Sequence, residues 1–271
     1  MRDCLSRAGL AIFLSFSALC TPLASAIGQA GGPAGAVDLE LVLAVDASGS
    51  IDEDEFRLQR QGWAEAITHP RVLGAIRSGA HGAIAVMYLE WAAIGCENAA
   101  VKWARISDPV SAQRFANAIT KAKRLDCWGG NAIGDAVSFA TKSIMTNPFD
   151  AKRKVIDVSG DGPNTLGSPV ELARERAVAL GITINGLVIM DPGRFFFAPG
   201  GGTLEDYYRN AIAGGTGSFV MVAKGRKNFR QAALAKLVRE IAARPEGGTA
   251  RGKAVAALKE ASDAETATRK R

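Results

Sequence analysis

Val37-Asp38-Leu39-Glu40-Leu41-Val42-Leu43-Ala44-Val45-Asp46-Ala47-Ser48-Gly49-Ser50 changes character at one residue. Leu39 to Val45 is a mostly apolar run of the kind buried on both faces of a parallel sheet. At Asp46 it breaks into small residues, and Ile51-Asp52-Glu53-Asp54-Glu55-Phe56 then opens a helix whose early acids suit the helix dipole. Asp46, Ser48 and Ser50 alternate through the turn, so their oxygens can converge just beyond the strand. One anionic oxygen and two hydroxyls are hard donors, suited to Mg²⁺, Mn²⁺ or Ca²⁺ and not to zinc or copper. The same residues also suit a plain turn that caps the helix. The stretch by itself leaves both readings open.

Upstream, Arg2 and Arg7 precede the short apolar run Gly9 to Leu19, and Ala24-Ser25-Ala26 offers a small-residue cleavage site. The run is too short to span a bilayer. Residues 1–26 therefore read as a Sec-type signal peptide cleaved after Ala26, with an uncleaved anchor as the alternative. Leu19, before Cys20, is too bulky for a lipoprotein signal. No later segment is apolar enough to be transmembrane. Cleavage would remove Cys4 and Cys20 and leave Cys96 and Cys127. Two cysteines in an exported chain most simply form one disulfide, and two reduced thiols are the alternative. No C-x-x-C or Cys/His cluster suggests zinc.

Residues 27–36 read as a flexible lead-in of small residues, and residues 37–243 have the size of one α/β domain. Residues 244–271 hold Pro245, Gly247 and Gly248, end in Arg269-Lys270-Arg271, and read as a disordered or weakly helical basic tail. The formal net charge of +6 is spread over helices and tail with no basic stripe interleaved with aromatics, which argues against a nucleic-acid partner.

Further strands are expected at Gly82 to Trp91, Ala100 to Ile106, Lys154 to Ser159, Ile182 to Met190 and Ser218 to Val222. Apolar spacing predicts helices over Asp52 to Thr68, Pro109 to Arg124, Asn131 to Thr146, Val170 to Leu180, Leu204 to Ile212 and Phe229 to Ala243. His69-Pro70 reads as the end of the first helix. Only Ala92 to Ala99 separates the second and third strands, too short for a helical crossover, so these two form an antiparallel hairpin. The expected fold is α/β: a Rossmann-like, doubly wound, mostly parallel six-stranded sheet with one antiparallel edge strand and helices on both faces. Ligands of such sheets lie beyond the carboxyl ends of the strands, where the winding reverses. The turns at Asp46 and Asp161 both follow strands and lie on that rim.

Three motifs in this order, Asp46-Ala47-Ser48-Gly49-Ser50 after a strand, Gly129-Gly130-Asn131-Ala132-Ile133-Gly134 at a helix start, and Gly160-Asp161-Gly162 after a strand, resemble the von Willebrand factor A domain. The resemblance covers about Val37 to Ala243. Asp157-Val158-Ser159-Gly160-Asp161-Gly162, with Asn185-Gly186-Leu187 on the next strand, looks like an uncharacterised bacterial secreted branch of that family, with which no settled activity comes. The resemblance implies a metal-ion-dependent adhesion site formed by Asp46, Ser48, Ser50, Asn131 and Asp161. It would hold a divalent cation, Mg²⁺ first and Mn²⁺ or Ca²⁺ next, with one position open for a carboxylate on a protein partner. Asn131 stands where the family has Thr. Its amide oxygen can still ligate a hard cation or hold a water that does, though Asn131 also fits as a plain helix N-cap.

Around this site, Asp157 and Ser159 share one side of their strand and could support it from a second shell. Asp157 could equally be a buried acid held by backbone. Cys96 in the hairpin turn and Cys127 in the loop before Asn131 fall on the same rim, where their bond would brace that loop. Phe195-Phe196-Phe197, in a Gly/Pro-rich loop on the rim, either offers a partner contact or folds back onto its own loop. The expected function is a secreted or periplasmic binding module that grips an acidic group on a protein through a cation. The alternatives are a metal-assisted hydrolase acting on phosphate through Asp46 or Asp161, and a structural domain with a degenerate site. The hydrolase lacks support: the chain has no Gly-x-Ser-x-Gly elbow, HExxH, P-loop or plausible His base.

Overall fold

The computed structural model describes residues 35–190, apart from 125, 126 and 128, and residues 201–243, apart from 226 and 227. Phe195, Phe196 and Phe197, the signal segment, most of the lead-in and the basic tail lie outside the described residues. The strands are β1 (Glu40–Asp46), β2 (Ile84–Trp91), β3 (Glu97–Ile106), β4 (Lys154–Gly160), β5 (Ile182–Met190) and β6 (Val220–Lys224). They form one sheet in the order β3-β2-β1-β4-β5-β6. Every pairing is parallel except β2 with β3, the hairpin too tight for a crossover. From β1 the chain winds outward to β3 and then returns to β4 on β1's other side. The winding therefore reverses between β1 and β4, the position where such sheets bind ligands.

All seven residues of β1 are buried, because helices cover both faces of the sheet. Leu41, Leu43 and Val45 point to one face and pack with Trp63, Ile67, Phe115 and Leu237. These come from α1 (Glu53–Thr68), α3 (Pro109–Lys121) and α7 (Phe229–Ala242), and α2 (Pro70–Arg77) covers the same face. Val42 and Ala44 point to the other face, where α4 (Ile133–Thr146) and α5 (Val170–Ala179) supply Ile133, Val137, Ala140 and Val170. Gly62 lets α1 approach α7 closely: a Cβ there would meet the Phe229 ring at 2.7 Å, and that ring packs edge-on to Trp63.

Three elements differ from the expectation. His69-Pro70 ends α1 but also starts α2: the His69 ring accepts the Arg71 N–H at 3.1 Å, and Pro70 takes the first helical turn, where no N–H is needed. The segment Leu204 to Ile212 is α6 (Leu204–Tyr207) followed by a π turn, Tyr208–Ile212. β3 begins at Glu97, which shortens the hairpin turn. At the domain's start, Gly35 and Ala36 already pair with Asp150, through an Asp150 N–H to Gly35 oxygen bond of 2.9 Å. Among the described residues, no helix is long and apolar enough to cross a membrane.

Candidate metal centre

β1 delivers Asp46 to the crevice at the reversal point. Its Oδ1 accepts the Ser48 N–H at 2.8 Å, which curls the turn back over the strand end. The hydroxyls of Ser48 and Ser50 then lie 3.1 Å apart, and Ser50 Oγ donates to Asp161 Oδ1 at 3.0 Å. Asp46, Ser48, Ser50 and Asp161 thus form one hydrogen-bonded chain from β1 across to the turn after β4. Asp46 is fully buried and Asp161 is 5% exposed. Asp52 is taken up by the start of α1, in a capping box with Glu55.

The Asn131 loop closes over the same crevice. Its backbone is pinned by the Asn131 N–H to Thr165 Oγ1 at 2.9 Å and by the Thr165 N–H to Asn131 oxygen at 2.9 Å. The Gly49 N–H donates to Gly129 oxygen at 3.2 Å, and the Ala132 N–H to Ala92 oxygen at 2.8 Å. The first and second motif turns are therefore bonded to one another. Asn131 itself is buried, and its side chain lies over the third turn: a Cβ on Gly162 would meet Asn131 Nδ2 at 2.5 Å. It does not cap the helix. Ala132 is the residue before α4 and offers no cap; the Gly134 N–H of the first turn donates instead to Asn164 Oδ1 at 3.1 Å.

Asp157 and Ser159 do not stand behind this socket. Their register partners on β1 are Leu43 and Val45, whose side chains point into the core on the α1 and α7 side. Asp46 points to the opposite face with Val42 and Ala44, as alternation along the strand requires. Asp157 is instead paired with Lys236 of α7, its Oδ1 lying 2.9 Å from Nζ.

The floor of the socket holds residues that the sequence reading missed. Trp91 is Asp46's register partner on β2. A Cβ on Gly160 would sit 2.7 Å from Tyr208 Oη, 3.0 Å from Asp46 Oδ2 and 3.2 Å from the Trp91 ring. Tyr207, just before the π turn, accepts the Asn164 N–H at 3.2 Å, and Tyr208 donates weakly to Gly162 oxygen at 3.5 Å. The two tyrosines thus hold the third loop from below. The glycines flanking Asp161 were the visible signal for this crowding; nothing in the sequence pointed to the tyrosines. Gly160→Ala is expected to push Asp46 or Tyr208 out of place and to destabilise the domain by about 1–3 kcal/mol, read by chemical denaturation.

Burial, and then the charge of Asp161, push the Asp46 carboxyl up to about 7 against hydrogen bonds from Ser48 and from the Asp161 backbone. The same burial and both carboxylates hold the Tyr208 phenol well above its usual range. Asp46 Oδ2 is buried with no hydrogen-bond partner, a condition folded proteins rarely tolerate without a purpose. Among the described residues no three His, Cys, Asp or Glu side chains converge. The crevice gathers two carboxylates and two hydroxyls, hard oxygens that fit a small divalent cation, with the Asn131 amide beside Gly162. Such an ion would balance both carboxylates and give Asp46 Oδ2 a partner.

Cys96 and Cys127 are disulfide-bonded, with Cα atoms 6.1 Å apart and a separation of 31 residues. The bond ties the β2–β3 turn to the start of the Asn131 loop. A loop of this length restricts the unfolded chain by about 3–4 kcal/mol. Replacing both cysteines by serine is expected to lower stability by about 2–4 kcal/mol. Denaturant titration measures that loss.

A doubly wound sheet with one antiparallel edge and an Asp-x-Ser-x-Ser turn where its winding reverses is a von Willebrand factor A-like fold. Solved structures agree. Proximal thread matrix protein 1 from the mussel byssus, in a form with a zinc-occupied MIDAS motif, superposes with TM-score 0.55 at 13% identity, over 76% of this chain and 48% of that one. The von Willebrand factor type A protein from Catenulispora acidiphila gives 0.50 at 15%, over 76% and 43%. The pilus adhesin SpaC from Lactobacillus rhamnosus GG gives 0.53 at 14%, over 76% and 30%. The chain thus spans half or less of the length of these proteins, and at such identities the likeness shows the fold alone. The chain belongs to the family described as protein of unknown function DUF1194, whose model matches residues 36–245. No curated protein matches it by sequence.

Proposed function

We propose that this chain is a secreted or periplasmic binding module that holds a divalent cation, Mg²⁺ first, between Asp46, Ser48, Ser50, Asn131 and Asp161, and uses it to capture a carboxylate on a protein partner. The observation that carries this reading is Asp46 Oδ2: a buried, unpartnered carboxylate oxygen in a crevice shared with a second buried carboxylate. The serines and Asn131 are neutral, so two carboxylates balance the ion without saturating it. A bound cation at the rim would then attract an acidic side chain from outside. One similar fold belongs to a pilus adhesin and another holds zinc in its MIDAS motif, which agrees with ligand capture through a metal. The oxygen-only donors here favour Mg²⁺, Mn²⁺ or Ca²⁺ over zinc. The signal-like first 26 residues and the disulfide suit an oxidising compartment outside the cytoplasm.

Capture from an envelope extract, with Mg²⁺ or with chelator, tests the proposal. The expected result is a partner retained with Mg²⁺ and released by chelator. Retention that is unchanged in chelator, or unchanged in Asp46→Ala, would overturn it.

A further inference from the structure

The inward face of α7 carries two charged residues where apolar ones would be expected. Lys236 and Glu240 are one helical turn apart and are 0% and 1% exposed. They face Asp157 of β4 and Asn185 of β5, which are register partners and also buried. Lys236 Nζ lies 2.6 Å from Glu240 Oε1 and 2.9 Å from Asp157 Oδ1. Asn185 Nδ2 donates to the same Glu240 oxygen at 3.0 Å, and Asn185 Oδ1 accepts the Phe219 N–H at 3.0 Å. The Phe219 ring covers the amine, 4.6 Å from Nζ, and its ring also stacks on Arg239. Arg153 approaches from β4's start but donates to the backbone oxygens of Glu240 and Ile241, not to either carboxyl.

Two carboxyls and one ammonium share this core, where a surplus negative charge is costly, and Arg153 reaches it only at the Glu240 end. Asp157 is the carboxyl driven toward its protonated form: burial, and then the charge of Glu240, hold it well above the carboxylate range despite Lys236. Asp157 is in side-chain contact with both Lys236 and Glu240, its Oδ1 lying against the amine. An amine and two carboxyls, the Asp157 one held toward its neutral form, are therefore buried in contact with one another.

We propose that Lys236 and Asp157 become joined by an amide bond within the folded protein, with Glu240 as the proton carrier. Glu240 takes one proton from the Lys236 ammonium. The freed lone pair attacks Asp157 Cγ, the C–N bond forms, and the C–OH bond breaks. The hydroxyl leaves as water with a second proton from nitrogen. The third stays on the amide, and Glu240 ends neutral. The two formal charges of Lys236 and Glu240 are thereby removed from the core, and no oxidant or cofactor is required. Fixed placement of the two reacting groups replaces the activation that such a condensation needs in free solution. The product would fasten α7 covalently to a central strand.

Intact mass spectrometry of the purified, reduced protein, followed by tryptic mapping, tests this. The expected result is a mass lower by one water, no cleavage after Lys236, and a branched peptide joining the segments that contain Asp157 and Lys236. Glu240→Gln should restore the full mass. A wild-type chain of full mass would overturn the proposal and leave the group as an ion pair. Loss of water without a branch, or loss of ammonia with a branch at Asn185, would overturn the assignment to Asp157.

Discussion

Asp46→Asn is expected to make the cation-free domain more stable at neutral and alkaline pH, and to abolish its response to divalent ions. The wild-type side chain is wholly buried, faces a second carboxylate, and leaves Oδ2 without a partner. Asparagine keeps the shape and the oxygen that accepts the Ser48 N–H, removes the charge, and replaces the orphan oxygen with a donor that Asp161 can accept. Relief of a buried, like-charged contact should raise stability by about 2 kcal/mol or more at about pH 8. A site with one carboxylate should then bind Mg²⁺ too weakly for calorimetry to detect. Mutation of a purely structural acid would do the reverse and lower stability. Denaturant titrations of both proteins, in chelator and in excess Mg²⁺, separate the two cases.

The second large effect is on pH. In the unfolded chain Asp46 titrates near its ordinary value of 3.8, and in the folded one near 7. Below the lower value the carboxyl is neutral in both states, and its contribution to stability is fully present. Between the two values the unfolded chain ionises while the folded chain holds its proton, so stability falls as pH rises and levels off above about 7. The whole loss is about 4 kcal/mol at the limit of independent titration. A divalent cation favours the ionised form and should cancel the loss. Added Mg²⁺ is thus expected to raise the melting temperature more at about pH 8 than at about pH 5, with saturating ion worth about 3 kcal/mol at a hundredfold excess over Kd. Equal gains at both pH values, or a pH profile in chelator identical to that of Asp46→Asn, would defeat this account.

Much of the scaffold could be read from residue order. The apolar runs mark the strands because both faces of this sheet are covered, and the short Ala92 to Ala99 span forces the one antiparallel pair. The convergence of Asp46 with Asp161 follows from the strand-end rule, once β1 and β4 are known to be neighbours at the reversal. Side-chain direction was less legible. Asp157 and Asp161 look alike on paper, but β4 ends at Gly160, so the first belongs to the sheet's other face and the second to a turn. Pro70 reads as a stop because a proline breaks a helix from within, whereas in the fold it occupies the first turn of a new one. Lys236 and Glu240 share the inward stripe with Phe229, Ala233, Leu237 and Ile241. Their place in that stripe was visible as a mismatch, but its partners on β4 and β5 lie about eighty and fifty residues away and only folding brings them together.

The socket's two carboxylates, Asp46 and Asp161, lie at the ends of β1 and β4, the two innermost strands, each bordered by a parallel neighbour on both sides. A tether attached at the rim and pulled outward along the strands would load these ladders lengthwise, so that many backbone hydrogen bonds resist together. Were the same residues carried on β3 or β6, tension could peel an outer strand away one bond at a time. The location of the site therefore gives the domain a mechanical grip that its chemistry alone would not supply.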